Sequence, residues 1–231
     1  MPTGTEWDLS GKPGNDKPDG ANGPSMGRAS DGQRAQCALF GDAGSTRGQD
    51  GQPGGPGGSG QTGDPGEPGK TLKLTVSTFE GGITFNAVGG RGGRGGNGGN
   101  GGAGGAAGNG GGGGACESAS DGGNGGQGGA AGNGGNGGPG GAGGSVDLKY
   151  KNFNIGDIQA PITGGAGGPF GIAGTPGVGG AGGAGGFGDC NFWGCEDNGN
   201  NGAQGAIGTP GRDGAQGAPG PNGRFDQGSI V

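Results

Sequence analysis

The sequence predicts a bundle, or sandwich, of left-handed polyglycine II and polyproline II extended helices, with short β-hairpin inserts and essentially no α-helix. Three observations predict it. Positions 89–110 read GGRGGRGGNGGNGGAGGAAGNG and positions 122–144 read GGNGGQGGAAGNGGNGGPGGAGG, a period of three with glycine at two places in each triplet. An α-helix needs a period of 3.6 and a strand 2.0, whereas the extended left-handed helix has three residues per turn. Only 25% of the 231 residues are hydrophobic and 5% aromatic, with 80 glycines, so a conventional apolar core of this size is excluded. Finally, the chain repeats itself at about 75 residues.

Each helix of this kind presents three faces. A face of bare glycine can touch a neighbouring backbone, and a face carrying Asn, Arg or Ala must look outward. The two segments with two bare faces, 89–110 and 122–144, are therefore expected at the centre. Segments 48–69 and 199–223, with one strict glycine per triplet, are expected at the periphery. A fifth run, 164–188, sets Ile172, Thr175, Val178, Ala181, Ala184 and Phe187 in one mostly apolar register. A weaker run, 11–27, loses its period between Gly14 and Gly20. On this reading Gly126→Val should unfold or aggregate the protein and Asn124→Ala should be nearly silent. Collagen shares the glycine content, but 15 prolines fall short of its usual share and it has no use for paired glycines. Gly-rich chains are commonly flexible, yet register held over twenty-odd residues in several runs argues for order.

From the start, Met1-Pro2-Thr3-Gly4 opens neither a basic nor an apolar leader segment, and no apolar stretch is long enough for a membrane span. A net charge of −6 disfavours nucleic acid and anionic membranes as partners. Residues 71–88 alternate Leu72, Leu74 and Val76 with polar neighbours, then pass through Glu80-Gly81-Gly82 to Ile83 and Phe85, which reads as a hairpin. Residues 145–163 repeat the pattern with Val146, Leu148 and Tyr150. The segments 5–9 and 224–231 look like single strands of the same kind. The organisation is one repeat-built domain, 1–231, in approximate units 1–70, 71–144 and 145–223, with 224–231 a terminal strand. If successive runs are antiparallel, strands and termini gather at one end and the cysteine loops at the other.

Those loops hold what a bare scaffold does not require: Cys37 with Leu39 and Phe40, Cys116, and Cys190-Asn191-Phe192-Trp193-Gly194-Cys195. Leu39, Phe40, Phe192 and Trp193 are the candidate binding residues of the tip, and a local hydrophobic cap is the plainer alternative. Four cysteines allow three complete pairings, among them Cys190 with Cys195 and Cys37 with Cys116. Disulfides would imply an oxidising environment. Gly69-Lys70-Thr71 lacks the glycine spacing of a phosphate loop, and Arg91 and Arg94 lack the interleaved aromatics of RNA-binding glycine–arginine segments. With no histidine there is no catalytic constellation, no metal site beyond the sparse Asp189, Cys190, Cys195 and Glu196, and no cofactor is called for.

The paired-glycine runs such as Asn124-Gly125-Gly126-Gln127, separated by non-glycine loops, resemble the polyglycine sandwich of the distal tail-fibre adhesins of T-even-like phages. The resemblance implies a scaffold whose tip loops contact a host receptor; the opening GDPGEPG, the long repeat and the cysteines depart from it. The triplets also resemble the springtail glycine-rich antifreeze proteins, and there Ile172, Thr175, Val178, Ala181 and Ala184 would correspond to the ice-binding face. The expected function is a non-enzymatic binding or adhesion protein, extracellular or virion-associated, meeting a cell-surface receptor, a glycan or a fibre partner protein. Its alternatives are a fibre or matrix module joining through terminal strands, and an ice-binding protein.

Overall fold

The computed structural model describes residues 5–38, 41–154, 156–191 and 194–230. Among them no α-helix occurs, and six extended runs alternate in direction. They span about 11–35 (run 1), 46–69 (run 2), 89–113 (run 3), 120–144 (run 4), 163–187 (run 5) and 199–223 (run 6). Runs 1, 3 and 5 lie parallel in one layer, bonded at every third residue, as where Gly14 N–H meets Arg91 O (2.8 Å) and Gly92 N–H meets Ala166 O (2.9 Å). Runs 2, 4 and 6 form a second parallel layer, with Gly51 N–H on Asn124 O and Gly125 N–H on Ala203 O, both 2.8 Å. Between layers the runs are antiparallel, as in Gly93 N–H to Asp64 O (2.8 Å) and Gly126 N–H to Gly105 O (2.9 Å).

Glycine content follows the number of neighbours. Run 3 bonds to runs 1, 2, 4 and 5, and run 4 to runs 2, 3, 5 and 6. A Cβ at Gly92 would overlap Gly138 O of run 4, and one at the next residue, Gly93, would overlap Asn15 O of run 1. A side chain is therefore excluded at most of these paired positions, with Ala107 and Ala131 the ladder positions that carry a methyl group. In the outer run 1 the glycine places tolerate more: Lys17, Met26, Ala29 and Ala35 donate in the ladder to run 3, so the run continues to residue 35, past the expected limit of 27. Among the described residues the ladder from run 2 to run 1 skips Gln61 and Gln52, opposite Lys17 and Met26.

The third position of each triplet is not a spectator. Its N–H needs an acceptor, and at many triplets a side chain of the preceding run in the same layer supplies one. Asp16 and Asp19 cap the N–H groups of Arg94 (2.6 Å) and Asn97 (2.7 Å). Asn97, Asn100 and Asn109 in turn cap Ile172 (3.1 Å), Thr175 (2.9 Å) and Ala184 (3.0 Å). In the second layer Asp50 caps Asn124 (2.6 Å) and Asn124 caps Ala203 (2.9 Å). The expectation that Asn124→Ala is nearly silent is corrected accordingly. At the outer side of run 5, Asp213 and Asn201 of run 6 take the N–H groups of Ala173 (2.7 Å) and Gly185 (2.9 Å).

The strands extend the layers. Strands β1 (Thr5–Asp8), β3 (Ile83–Asn86) and β5 (Ile158–Gln159) form a parallel sheet that continues runs 1, 3 and 5. Strands β2 (Thr71–Glu80), β4 (Ser145–Asn154) and β8 (Arg224–Ser229) form another that continues runs 2, 4 and 6. The expected hairpins are therefore corrected: β2 pairs with β4, Thr71 opposite Ser145, and not with β3. Runs of one layer arrive parallel and in matching register, so their ladder passes straight into parallel strands. Gly81 (φ +86°) turns the chain from one sheet to the other. Between the sheets lies the small apolar core, Phe85, Val146, Leu148 and Ala87, packed by Leu72, Leu74, Ile83 and Phe225. Trp7 meets Phe85 edge to face at 6.0 Å. Full burial of Phe85, Val146 and Leu148 contributes about 1.5–3 kcal/mol each, a concentrated anchor for runs that have no such core.

Candidate functional site

The turns between runs 1 and 2, 3 and 4, and 5 and 6 lie together at the end opposite the two three-stranded sheets. The first, 36–44, closes by mutual N–H···O bonds between Gln36 and Ala43 (2.8 and 2.9 Å). Asp42 accepts the N–H of Ala38 within it (2.9 Å), and Gly41 has φ +88°. The second turns at Gly114–Glu117. The third is a two-stranded antiparallel ribbon, β6 (Cys190–Asn191) and β7 (Gly194–Cys195).

Cross-ties make one platform of the three loops. Disulfide Cys37–Cys116 joins the first to the second, and Cys190–Cys195 closes the third on itself. Together they make one of the three complete pairings open from the sequence, and no cysteine is left free. Ser118 Oγ donates to Glu196 Oε2 (3.3 Å) and Ala119 N–H to Asp197 O (3.1 Å), tying the second loop to the third. Arg34, at the end of run 1, reaches Asp189 with Nη2 (2.8 Å) and Gly113 O with Nε (3.0 Å), so it spans all three run pairs. Ser45 Oγ donates to Ser118 O (2.8 Å). The four tip residues proposed from sequence, Leu39, Phe40, Phe192 and Trp193, lie outside the described residues; the loops bearing them are the ones cross-tied.

The second candidate set, Ile172, Thr175, Val178, Ala181 and Ala184, forms one outward row of run 5, all five exposed, with Ile172 at 58% and Val178 at 62%. Its carbonyls accept Gly98, Gly101, Gly104, Ala107 and Gly110 N–H groups of run 3 at 2.8–2.9 Å. With three of its N–H groups capped by asparagines, the row offers mainly methyl groups to solvent. The row ends in Phe187, 81% exposed. There a cleft of about 460 Å³ opens among Arg34, Asn109, Phe187 and Asp189. Sequence reading placed Phe187 in the register but did not single it out as a site residue. Asn109 and Arg34 carried no sequence signal, because the contacts that define them join residues 75 and 155 positions away. Among the described residues no cluster of three or more metal-ligating side chains occurs.

No protein-family model matches the chain, and no curated protein matches it. Among solved structures, a nine polyproline type II helical bundle springtail antifreeze protein from Granisotoma rainieri is returned at 20% identity, covering 88% of this chain and 93% of that one, with a TM-score of 0.12. A likeness at that score carries no argument about function. It touches the second of the two sequence resemblances in part, and the first, to phage tail-fibre adhesins, receives no support. The two disulfides fit an extracellular, oxidising environment. Among the described residues no helix is long and apolar enough to cross a membrane.

Proposed function

We propose that this chain is a non-enzymatic binding protein, a bundle of left-handed polyglycine II and polyproline II helices that presents a rigid platform of loops for attachment outside a cell or on a virus particle. The observation that carries this reading is the cross-tying of the three loops by Cys37–Cys116, Arg34–Asp189 and Ser118–Glu196. Loops that merely reverse direction need two to five residues; the first, 36–44, is longer, and all three are held by covalent, ionic or hydrogen-bond ties. Pre-ordering of that kind lowers the entropy lost when a partner is bound. The three-residue ladder supports the helix assignment, because it places one backbone bond per turn on each neighbouring run. The ligand is a cell-surface receptor, a glycan or a fibre partner, met through Leu39, Phe40, Phe192 and Trp193.

Replacement of Phe192 and Trp193 together by serine tests the reading. Attachment to target cells should be lost with the melting temperature and both disulfides unchanged. Attachment by the folded double variant would refute it. A second reading, ice binding, is favoured by the exposed, regularly spaced row Ile172 to Ala184 on run 5. Lysine at Val178 and Ala181 would abolish activity in that case, whereas the tip variant would leave it intact. Deletion of residues 225–231 instead would stop self-assembly only if the outer strand β8 joins copies into a fibre.

A further inference from the structure

The geometry points to a saccharide-binding cleft beside the loop platform, in which Phe187 is the stacking ring and Asn109, Arg34 and Asp189 are the polar rim. The inference rests on the loop-end binding reading and gives it a ligand class and a second location. Phe187 is 81% exposed in a chain that buries Phe85 completely. Its carbonyl accepts Gly113 N–H (2.9 Å), so the ring stands on an anchored backbone. The cleft it borders measures about 460 Å³, within the usual range for small-ligand sites of about 300–1,000 Å³.

The polar groups narrow the ligand. Arg34 and Asp189 neutralise each other at 2.8 Å, so the rim does not select an ion. Asp189 Oδ1 also accepts Cys190 N–H (3.2 Å), and Arg34 Nε is held by Gly113 O, which fixes both groups while leaving guanidinium donors for a ligand. Asn109 Oδ1 is occupied by Ala184 N–H (3.0 Å), which leaves its Nδ2 donors for a ligand. An apolar ligand would leave these groups desolvated without partners. An anion would find Arg34, the cation that lines the cleft among the described residues, already paired, and a nucleotide would meet a chain of net charge −6. A neutral pyranose fits: its C–H face lies on the electron-rich face of the ring, and its hydroxyls both donate and accept around the rim.

The test is binding of the full-length, disulfide-intact protein to an array of neutral and sulfated oligosaccharides, with saturation-transfer NMR on any neutral sugar bound. Phe187→Ala should weaken binding at least tenfold, and Phe187→Trp should restore it. Asn109→Asp keeps the oxygen that caps Ala184 and removes the donors, so it should weaken binding without shifting the melting temperature. Binding of no neutral sugar by the native protein, or salt-sensitive binding of sulfated sugars alone, would overturn the inference. So would equal binding by native protein and Phe187→Ala. If attachment to cells is lost in the Phe192 and Trp193 double variant but sugar binding ignores Phe187→Ala, the loop-end reading stands and the cleft assignment falls. If the Phe187 and Asn109 variants lose sugar binding while the double variant still attaches, the cleft stands and the tip assignment falls.

Discussion

Gly126→Ala adds one methyl group where four backbones meet. Gly126 belongs to run 4; its N–H donates to Gly105 O of run 3 (2.9 Å), and its carbonyl accepts Gly180 N–H of run 5 (2.8 Å). A Cβ there would overlap Gln52 O of run 2 and stand 2.5 Å from Gln52 C and 2.9 Å from Gly51 C. Ordinary carbon contact begins near 3.5 Å, so runs 2 and 4 must part by about 1 Å, and backbone atoms have no rotamer by which to yield. The bonds flanking the site, Gly51 N–H to Asn124 O and Gly54 N–H to Gln127 O, both 2.8 Å, are then stretched or lost. Two backbone bonds at about 1 kcal/mol each, with overpacking of about 1–3 kcal/mol, give roughly 3–5 kcal/mol. At about 2–4 °C per kcal/mol for a chain of this size, the melting temperature should fall by about 6–20 °C in scanning calorimetry. Asn124→Ala, two residues away, loses only the cap on Ala203 and should cost about 0.5–1.5 kcal/mol. Equal melting temperatures for the two variants would refute the claim that glycine is required by close backbone approach.

The remaining predictions concern cross-links and charge. Cys37–Cys116 joins residues 79 apart and Cys190–Cys195 only 5 apart, so chain entropy assigns them about 4–5 and about 2 kcal/mol. Paired serine replacements should lower the melting temperature more for the first bridge, and the reverse order would refute that account. Asp31 is held below the usual carboxylate range by the Arg28 side chain and then by the Asn109 N–H, and Asp50 by the Asn124 N–H and then by Arg47. A depressed folded value means that the unfolded chain binds protons first. The contribution is therefore present above about pH 4 and lost as the pH falls through the lower folded value. Melting temperature should drop on acidification below about pH 4, and Asp31→Asn with Asp50→Asn, which keeps both capping oxygens, should flatten the drop. A native melting temperature constant from pH 5 to 2 would refute the role of these caps.

Local pattern made part of the molecule legible in the chain. Paired glycines at 89–110 and 122–144 mark the two runs that hydrogen-bond to four neighbours, because absence of a side chain is a local fact with a local packing consequence. The alternation in 71–76 and 145–150 marks strands, and the repeat aligns Thr71 with Ser145. Periodicity carried no information about partners. Leu72, Leu74, Ile83 and Phe85 suit a hairpin and an arch between two sheets equally well, and only the parallel arrival of the runs within each layer selects the arch. Asn124 and Asn97 were visible as outward residues, but their capping of backbone 79 and 75 positions away was not. The same holds for the cleft. Phe187 sits in a register that one sequence displays, whereas Arg34 comes to Asp189 only because runs 1 and 5 flank run 3 and finish at the same end of the layer. The sequence by itself determined which segments could pack backbone to backbone and which residues had to face outward. The tertiary structure alone decided the order of runs within each layer, and with it every contact between residues of different repeats, since those depend on neighbours that no window along the chain contains.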